Sequence, residues 1–268
     1  MKQKTKKKSK LAIIVSNSLY VRNYIHSKQL KKVEKTFNVT LIVNSKISER
    51  FIKEKKCRCF ETYSFSKIEE QRERLLDEAG LFFYKHRSKT FGLRAARFFT
   101  ASKKNDYERK FSLSDIRRFI FWIKSMLFAQ SWIYFPYYFF WRNFTPINKS
   151  IFRAIDKHKP EIVLLPSSSS EPERFSVLKT CKMLKIPSFL IVDNWDNLSS
   201  KTVLTEKPNF IGVWGKQTAL HAEKIQKINR MQIKVLGTPR YEVYFRKRNS
   251  KINSKFNFPY ILFLGTIS

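Results

Sequence analysis

Short apolar, β-branched runs recur along this chain at residues 11–15, 39–43, 162–165, 189–192, 210–213 and 233–236, and most of the stretches between them are long enough to hold a helix. A strand that is apolar without alternation is buried on both faces, and a sheet is buried on both faces only when helices cover it. The spacing therefore predicts helices over residues 21–36, 174–184 and 216–229, packed on a doubly wound, parallel α/β sheet. The third strand is weakly marked, and residues 58–65 are its best position. At 268 residues the chain is long enough to bury a full core.

In such a sheet, ligands bind in the crevice formed by loops at the carboxyl ends of the strands. Four loops qualify: Ser16-Asn17-Ser18; residues 167–171, with Ser167, Ser168, Ser169 and Glu171; residues 193–201; and Gly237-Thr238-Pro239-Arg240. Hydroxyls and free backbone N–H groups near helix starts suit sugars and phosphates, although the serine run serves equally well as a polar loop capping the helix at Arg174. The richest loop carries Asp193, Asn194, Trp195, Asp196, Asn197, Ser199, Ser200 and Lys201. Partial desolvation beside Trp195 would raise either aspartate toward the range of a general base. The structural alternative is that one aspartate caps a turn and the other binds backbone amides. His26 and His221 fall in predicted helices and read as packed or solvent-facing. No Walker loop, G-x-G-x-x-G or G-x-S-x-G occurs, which disfavours P-loop nucleotide, dinucleotide and hydrolase chemistry.

The three cysteines, Cys57, Cys59 and Cys181, have no histidine at metal-ligand spacing, so neither a zinc site nor a disulfide framework is expected, and a reducing cytoplasm fits. The formal net charge of +33 points to negative partners, although a sequence rich in Lys, Asn, Ile and Phe with 6 Gly is also what AT-rich coding drift produces. Residues 1–10 read as a basic tail ahead of a buried strand, because the apolar run that follows is about six residues, too short for a signal peptide. Residues 68–150 interrupt the alternation as an insertion, first charged and then, over residues 119–141, strongly aromatic. Lys124, Gln130 and Pro136 argue against a membrane span. The rings serve either as a core between insertion and sheet or as an interfacial element on an anionic membrane.

The residues Trp195-Asp196-Asn197-Leu198-Ser199-Ser200-Lys201, then Val213-Trp214-Gly215, then 235–241 with Tyr244-Phe245, resemble the amino-terminal domain of bacterial glycosyltransferases of the two-Rossmann, GT-B type. The branch they look like is that of surface-polysaccharide enzymes with a W-D-N-L-[ST]-S-K-G signature, neighbours of the CDP-glycerol glycerophosphotransferases. The resemblance covers about residues 10–268 and is strong from about residue 160. It implies a Rossmann-like acceptor-side domain over residues 11–240, a linker over 241–257, and, at 258–268, the first strand of a donor-binding domain that lies outside this sequence. The family glycine after the lysine is Thr202 here, which leaves the turn geometry open.

That resemblance implies a transferase working at the inner face of the plasma membrane on a glycan or lipid-linked acceptor, with the nucleotide-activated sugar donor held by the other domain and no cofactor or metal in this one. It also implies that this chain alone turns over no donor. A polyol-phosphate transferase or a nucleotide-sugar epimerase would use the same fold. A non-catalytic basic nucleic-acid-binding protein is the rival from another class, although no RNA- or DNA-binding signature accompanies the aromatic stretch.

Overall fold

The structure, a computed structural model, describes residues 8–26, 28–47, 60–87, 113–167 and 171–248. The strands are β1 (Ser9–Val15), β2 (Phe37–Asn44), β3 (Phe60–Tyr63), β4 (Ile162–Ser167), β5 (Ser188–Val192), β6 (Phe210–Val213) and β7 (Ile233–Val235). They form one sheet, parallel throughout, in the order β3-β2-β1-β4-β5-β6-β7. The weakly marked third strand is thus found within residues 58–65. β1 starts at Ser9, so the last two residues of the expected basic tail belong to the sheet. Within the stretch expected as a linker, residues 242–247 are helical, as α9 (Glu242–Lys247). The strand expected at 258–266 lies outside the described residues.

Period-two alternation sends one set of side chains to each face. Leu11, Ile13, Val15, Leu41 and Val43 pack under Tyr20, Val21, Ile25 and Leu30 on one face. Ala12, Ile14, Val163, Leu165, Leu190, Val192, Ile211 and Val213 pack on the other. Their cover there comes from α6 (Lys149–His158), α7 (Arg174–Met183) and α8 (Lys216–Lys224). Helices on both faces and a strand order that reverses direction at β1/β4 make this a Rossmann-like, doubly wound domain.

The helix expected over residues 21–36 is divided. Asn17 caps α1 (Ser18–Tyr20) by accepting the N–H groups of Leu19 and Tyr20 at 2.9 and 3.3 Å. The chain then widens into a π turn over Val21–Ile25, where the His26 N–H bonds to the Val21 carbonyl, and resumes as α2 (Lys28–Thr36). The extra residue in that turn sets Asn23 and Tyr24 toward the sheet's carboxyl edge while Val21 and Ile25 stay in the core.

Between β3 and β4 stand α3 (Lys67–Arg87), α4 (Leu113–Ala129) and α5 (Ser131–Phe144), the helical insertion. A small core of Ala79, Phe83 and Tyr134 joins them, with the Phe83 and Tyr134 rings stacked at 4.2 Å. Gly80 lets α3 approach the chain beyond β5: a Cβ there would lie 3.0 Å from Thr205 Cγ2 and 3.4 Å from the Tyr134 hydroxyl.

Candidate functional site

The carboxyl ends of β1, β4, β5 and β7 carry the four loops singled out above, and three hydrogen bonds join them in sequence. Asn17 donates from Nδ2 to Glu171 Oε1 at 3.4 Å. The Asp193 N–H donates to the Ser167 carbonyl at 2.9 Å. Arg240 donates from Nη1 to Asn194 Oδ1 at 3.1 Å. The crevice therefore lies at the topological switch between β1 and β4, where chain reversal leaves room above the sheet.

Along its floor run three buried carboxylates, each held by one asparagine amide and one tyrosine hydroxyl. Glu173 accepts from Asn44 Nδ2 at 2.7 Å and from the Tyr63 hydroxyl at 3.3 Å. Glu171 accepts from Asn17 and the Tyr20 hydroxyl, and its second oxygen accepts from Ser167 Oγ at 2.9 Å. Asp193 accepts from Asn23 Nδ2 at 3.4 Å and from the Tyr24 hydroxyl. A carboxylate taken from water needs such donors, and a buried tyrosine needs an acceptor, so each pairing satisfies both.

The electrostatics follow from crowding like charges in a desolvated row. Burial raises Asp193 above the usual carboxylate range; the Asn23 bond and the Arg240 charge oppose this, while Glu171 adds to it. Burial likewise raises Glu173, with Glu171 contributing, and it raises Tyr24, with Asp193 adding repulsion. A chain of net charge +33 thus encloses an acidic floor. The rim is different: Trp195 and Arg240 are exposed, and the Arg240 guanidinium lies 5.5 Å from the ring centre of Tyr241, which meets Trp214 edge-on. Trp214 is anchored by donating from Nε1 to the Val192 carbonyl at 2.9 Å. Beside the crevice, against Leu11, Ile13 and Leu164 of the sheet, a cavity of about 500 Å³ opens between Tyr24 and Pro239.

The loop of residues 193–201 is only partly a binding surface. Asp193 joins the floor, whereas Asp196 turns to Lys201, 2.9 Å away, and its carbonyl accepts the N–H and hydroxyl of Ser199 at 3.2 and 3.1 Å. The two aspartates are thus placed differently, Asp196 standing at the N-terminal cap of the π turn Asn197–Lys201. Asn197 is wholly buried and Ser199 nearly so. Thr202 has φ −135° and ψ 156°, ordinary extended backbone, so the missing family glycine costs no strain here. Ser16 follows β1 with its hydroxyl enclosed and without a partner, and Ser18 is exposed in the first turn of α1. Gly237, at φ +76°, turns the chain so that Thr238 can cap the short turn carrying Arg240. Ser168 and Ser169 lie outside the described residues, as does the side chain of Ser200.

Tyr20, Asn23, Tyr24, Asn44, Tyr63 and Glu173 were not evident as site residues. The asparagines and tyrosines sit in segments whose apolar pattern marks only core or strand, and Glu173 reads as a helix-start residue. The one available signal was tyrosine close to strand ends, where burial demands a hydroxyl partner. Among the described residues no group of three or more His, Cys, Asp or Glu is arranged to hold a metal ion.

Fold and crevice together define a Rossmann-like domain with a candidate site at the β1/β4 switch point. No protein-family model matches the sequence, and no curated protein matches it. Among solved structures, the chain is similar to UDP-GlcNAc 2-epimerase from Methanocaldococcus jannaschii, with a TM-score of 0.41 and 12% identity over 85% of this chain. It spans 45% of the length of that protein.

Proposed function

We propose that this chain is the acceptor-binding half of a glycosyltransferase of the GT-B kind that builds a cell-surface glycan, and that Asp193 is its general base. The observation that carries the proposal is Asp193 itself: a carboxylate with a raised pKa at the switch point, oriented by Asn23 and Tyr24, next to the exposed Arg240 and Trp195. In this reading an acceptor hydroxyl approaches Asp193. As its oxygen bonds to the anomeric carbon of the donor, the proton passes to the carboxylate, and the bond from that carbon to the nucleoside diphosphate breaks. The acidic floor supports an acceptor and not a nucleotide, since Glu171 and Glu173 repel a diphosphate but accept hydrogen bonds from hydroxyls, as they do from Ser167 and Tyr63. A ring platform at Trp195 and a cation at Arg240 suit a sugar bearing one anionic substituent.

The test uses this chain with fragments of polyol and glycan acceptors and with nucleotide sugars, followed by saturation-transfer NMR. Acceptor fragments should bind, Asp193→Asn should weaken that binding about tenfold, as expected for losing a hydrogen bond to a charged group, and no donor should be consumed. Turnover or epimerisation of a nucleotide sugar by the chain alone would overturn the reading, as would acceptor binding indifferent to Asp193→Asn.

A further inference from the structure

We propose that the α4–α5 hairpin is a docking surface for an anionic lipid bilayer. α5 reverses the arrangement usual for a helix packed on a protein. Its inward side chains are the ones that can hydrogen-bond: Tyr134 is buried, Tyr138 donates to the Thr205 carbonyl, and Arg142 donates twice to Glu206 at 2.8 and 3.0 Å. Its outward stripe is Trp132, Phe135, Phe139, Phe140 and Phe144, at helical spacing, with Trp132, Phe139 and Phe144 exposed to 74%, 69% and 68%. α4, the other arm of the hairpin, exposes Phe119, Trp122 and Met126 as well. Water-exposed rings in this number mark an interaction surface.

Charge selects the occupant. Helices α4 and α5 hold one acid, Asp115, against Arg117, Arg118 and Lys124, with Arg142 already paired to Glu206, and the chain as a whole is at +33. A second copy would bring the same sign of charge to the contact, whereas anionic headgroups attract it. Geometry selects the depth. α4 has 17 residues and α5 has 14, and no helix among the described residues is long and apolar enough to cross a membrane. Pro136, on the exposed side in the middle of α5, supplies no N–H to the carbonyl one turn before it. Headgroup water can satisfy that carbonyl, and hydrocarbon cannot. The hairpin therefore lies flat, with its rings at the level of the headgroups. Through Thr205 and Glu206, just past the Asn197–Lys201 turn, it would hold the crevice beside the membrane. This inference goes beyond the chemistry proposed for Asp193 and does not depend on it.

Co-sedimentation of the whole chain with phosphatidylglycerol-containing vesicles, against pure phosphatidylcholine, tests it. Binding should favour the anionic vesicles and persist in part at high salt, because apolar burial is not screened. The triple variant Trp132→Ser, Phe139→Ser, Phe144→Ser should lose that residual binding by about tenfold or more, with an unchanged thermal midpoint. The single variant Phe139→Ser, which touches one exposed ring, carries the same test if the triple variant is less stable. Trp132→Phe should remove part of a vesicle-induced blue shift in fluorescence. The proposal fails if wild type ignores the vesicles, or if the variants bind them equally at high salt. It fails equally if the substitutions instead dissociate a dimer in sedimentation velocity or abolish tight nucleic-acid binding.

Discussion

Arg174, buried at the first residue of α7, donates from Nη2 to Asp77 Oδ2 of α3 at 2.8 Å, and this pair is one of those that fasten the helical insertion to the sheet domain. The same guanidinium donates to Thr202 Oγ1 at 2.9 Å, and Thr205 Oγ1 donates to Asp77 Oδ1 at 3.0 Å. Three separate parts of the chain therefore meet around one buried charge, beside the crevice.

Removing one partner of such a pair leaves an uncompensated charge. Asp77→Asn should destabilise the protein by about 3 kcal/mol, measured by urea unfolding. Arg174→Met should cost less, because it removes the more deeply buried charge and leaves Asp77, whose carboxyl is partly exposed.

Glu73 gives the fold a pH dependence. Burial raises it from 4.5 to about 8 against the two hydrogen bonds from Ser176. The folded protein thus keeps a proton that the unfolded chain releases, so this contribution is complete below about pH 4.5 and is lost as pH rises toward 8. Glu61 and Glu69, held below the usual range, act only at lower pH and with the opposite sign. Thermal midpoints should fall between pH 5 and 8, at up to about 1.4 kcal/mol per pH unit from this group. Glu73→Gln should flatten that decline.

Lys185 stands in the left-handed region, φ 55°, directly after α7, where the Ile186 N–H bonds back to the Cys181 carbonyl. That closing pattern favours glycine. Lys185→Gly should raise stability by about 0.5–1 kcal/mol, seen as a higher denaturation midpoint at unchanged slope.

Gly237 is the converse case. Gly237→Ala forces a side chain onto φ +76° and should cost about 1 kcal/mol or more. It should also shift the Thr238–Arg240 turn, so acceptor binding should weaken by more than the loss of stability explains, a difference that calorimetry below the unfolding range would show.

Tyr24 lends Asp193 a bond that favours its charged form. Tyr24→Phe should therefore raise the Asp193 pKa further, read from the pH titration of its carboxyl carbon by NMR.

The parallel sheet was legible in the sequence because strands buried on both faces leave unbroken apolar runs, as at residues 11–15 and 162–165. The loops at strand ends followed from the same fact, since a parallel sheet puts every carboxyl end on one edge. Asp193 could be named for the same reason, as the polar residue closing β5. Its neighbour Asp196 could not be told apart from it, because a π turn decides which carboxylate faces inward and which meets Lys201.

What the sequence by itself determined is local: where strands run, where they end, and which residues those ends carry. Tertiary structure alone decided which polar groups share a site. The asparagine and tyrosine that hold Glu173 come from β2 and β3, 129 and 110 residues away, and no periodicity encodes such a meeting. It likewise decided which face of α5 is dry. Phe139 and Tyr138 are neighbours in an aromatic run, and only packing against Thr205 turns the tyrosine inward, where its hydroxyl finds an acceptor, and leaves the phenylalanine ring outside.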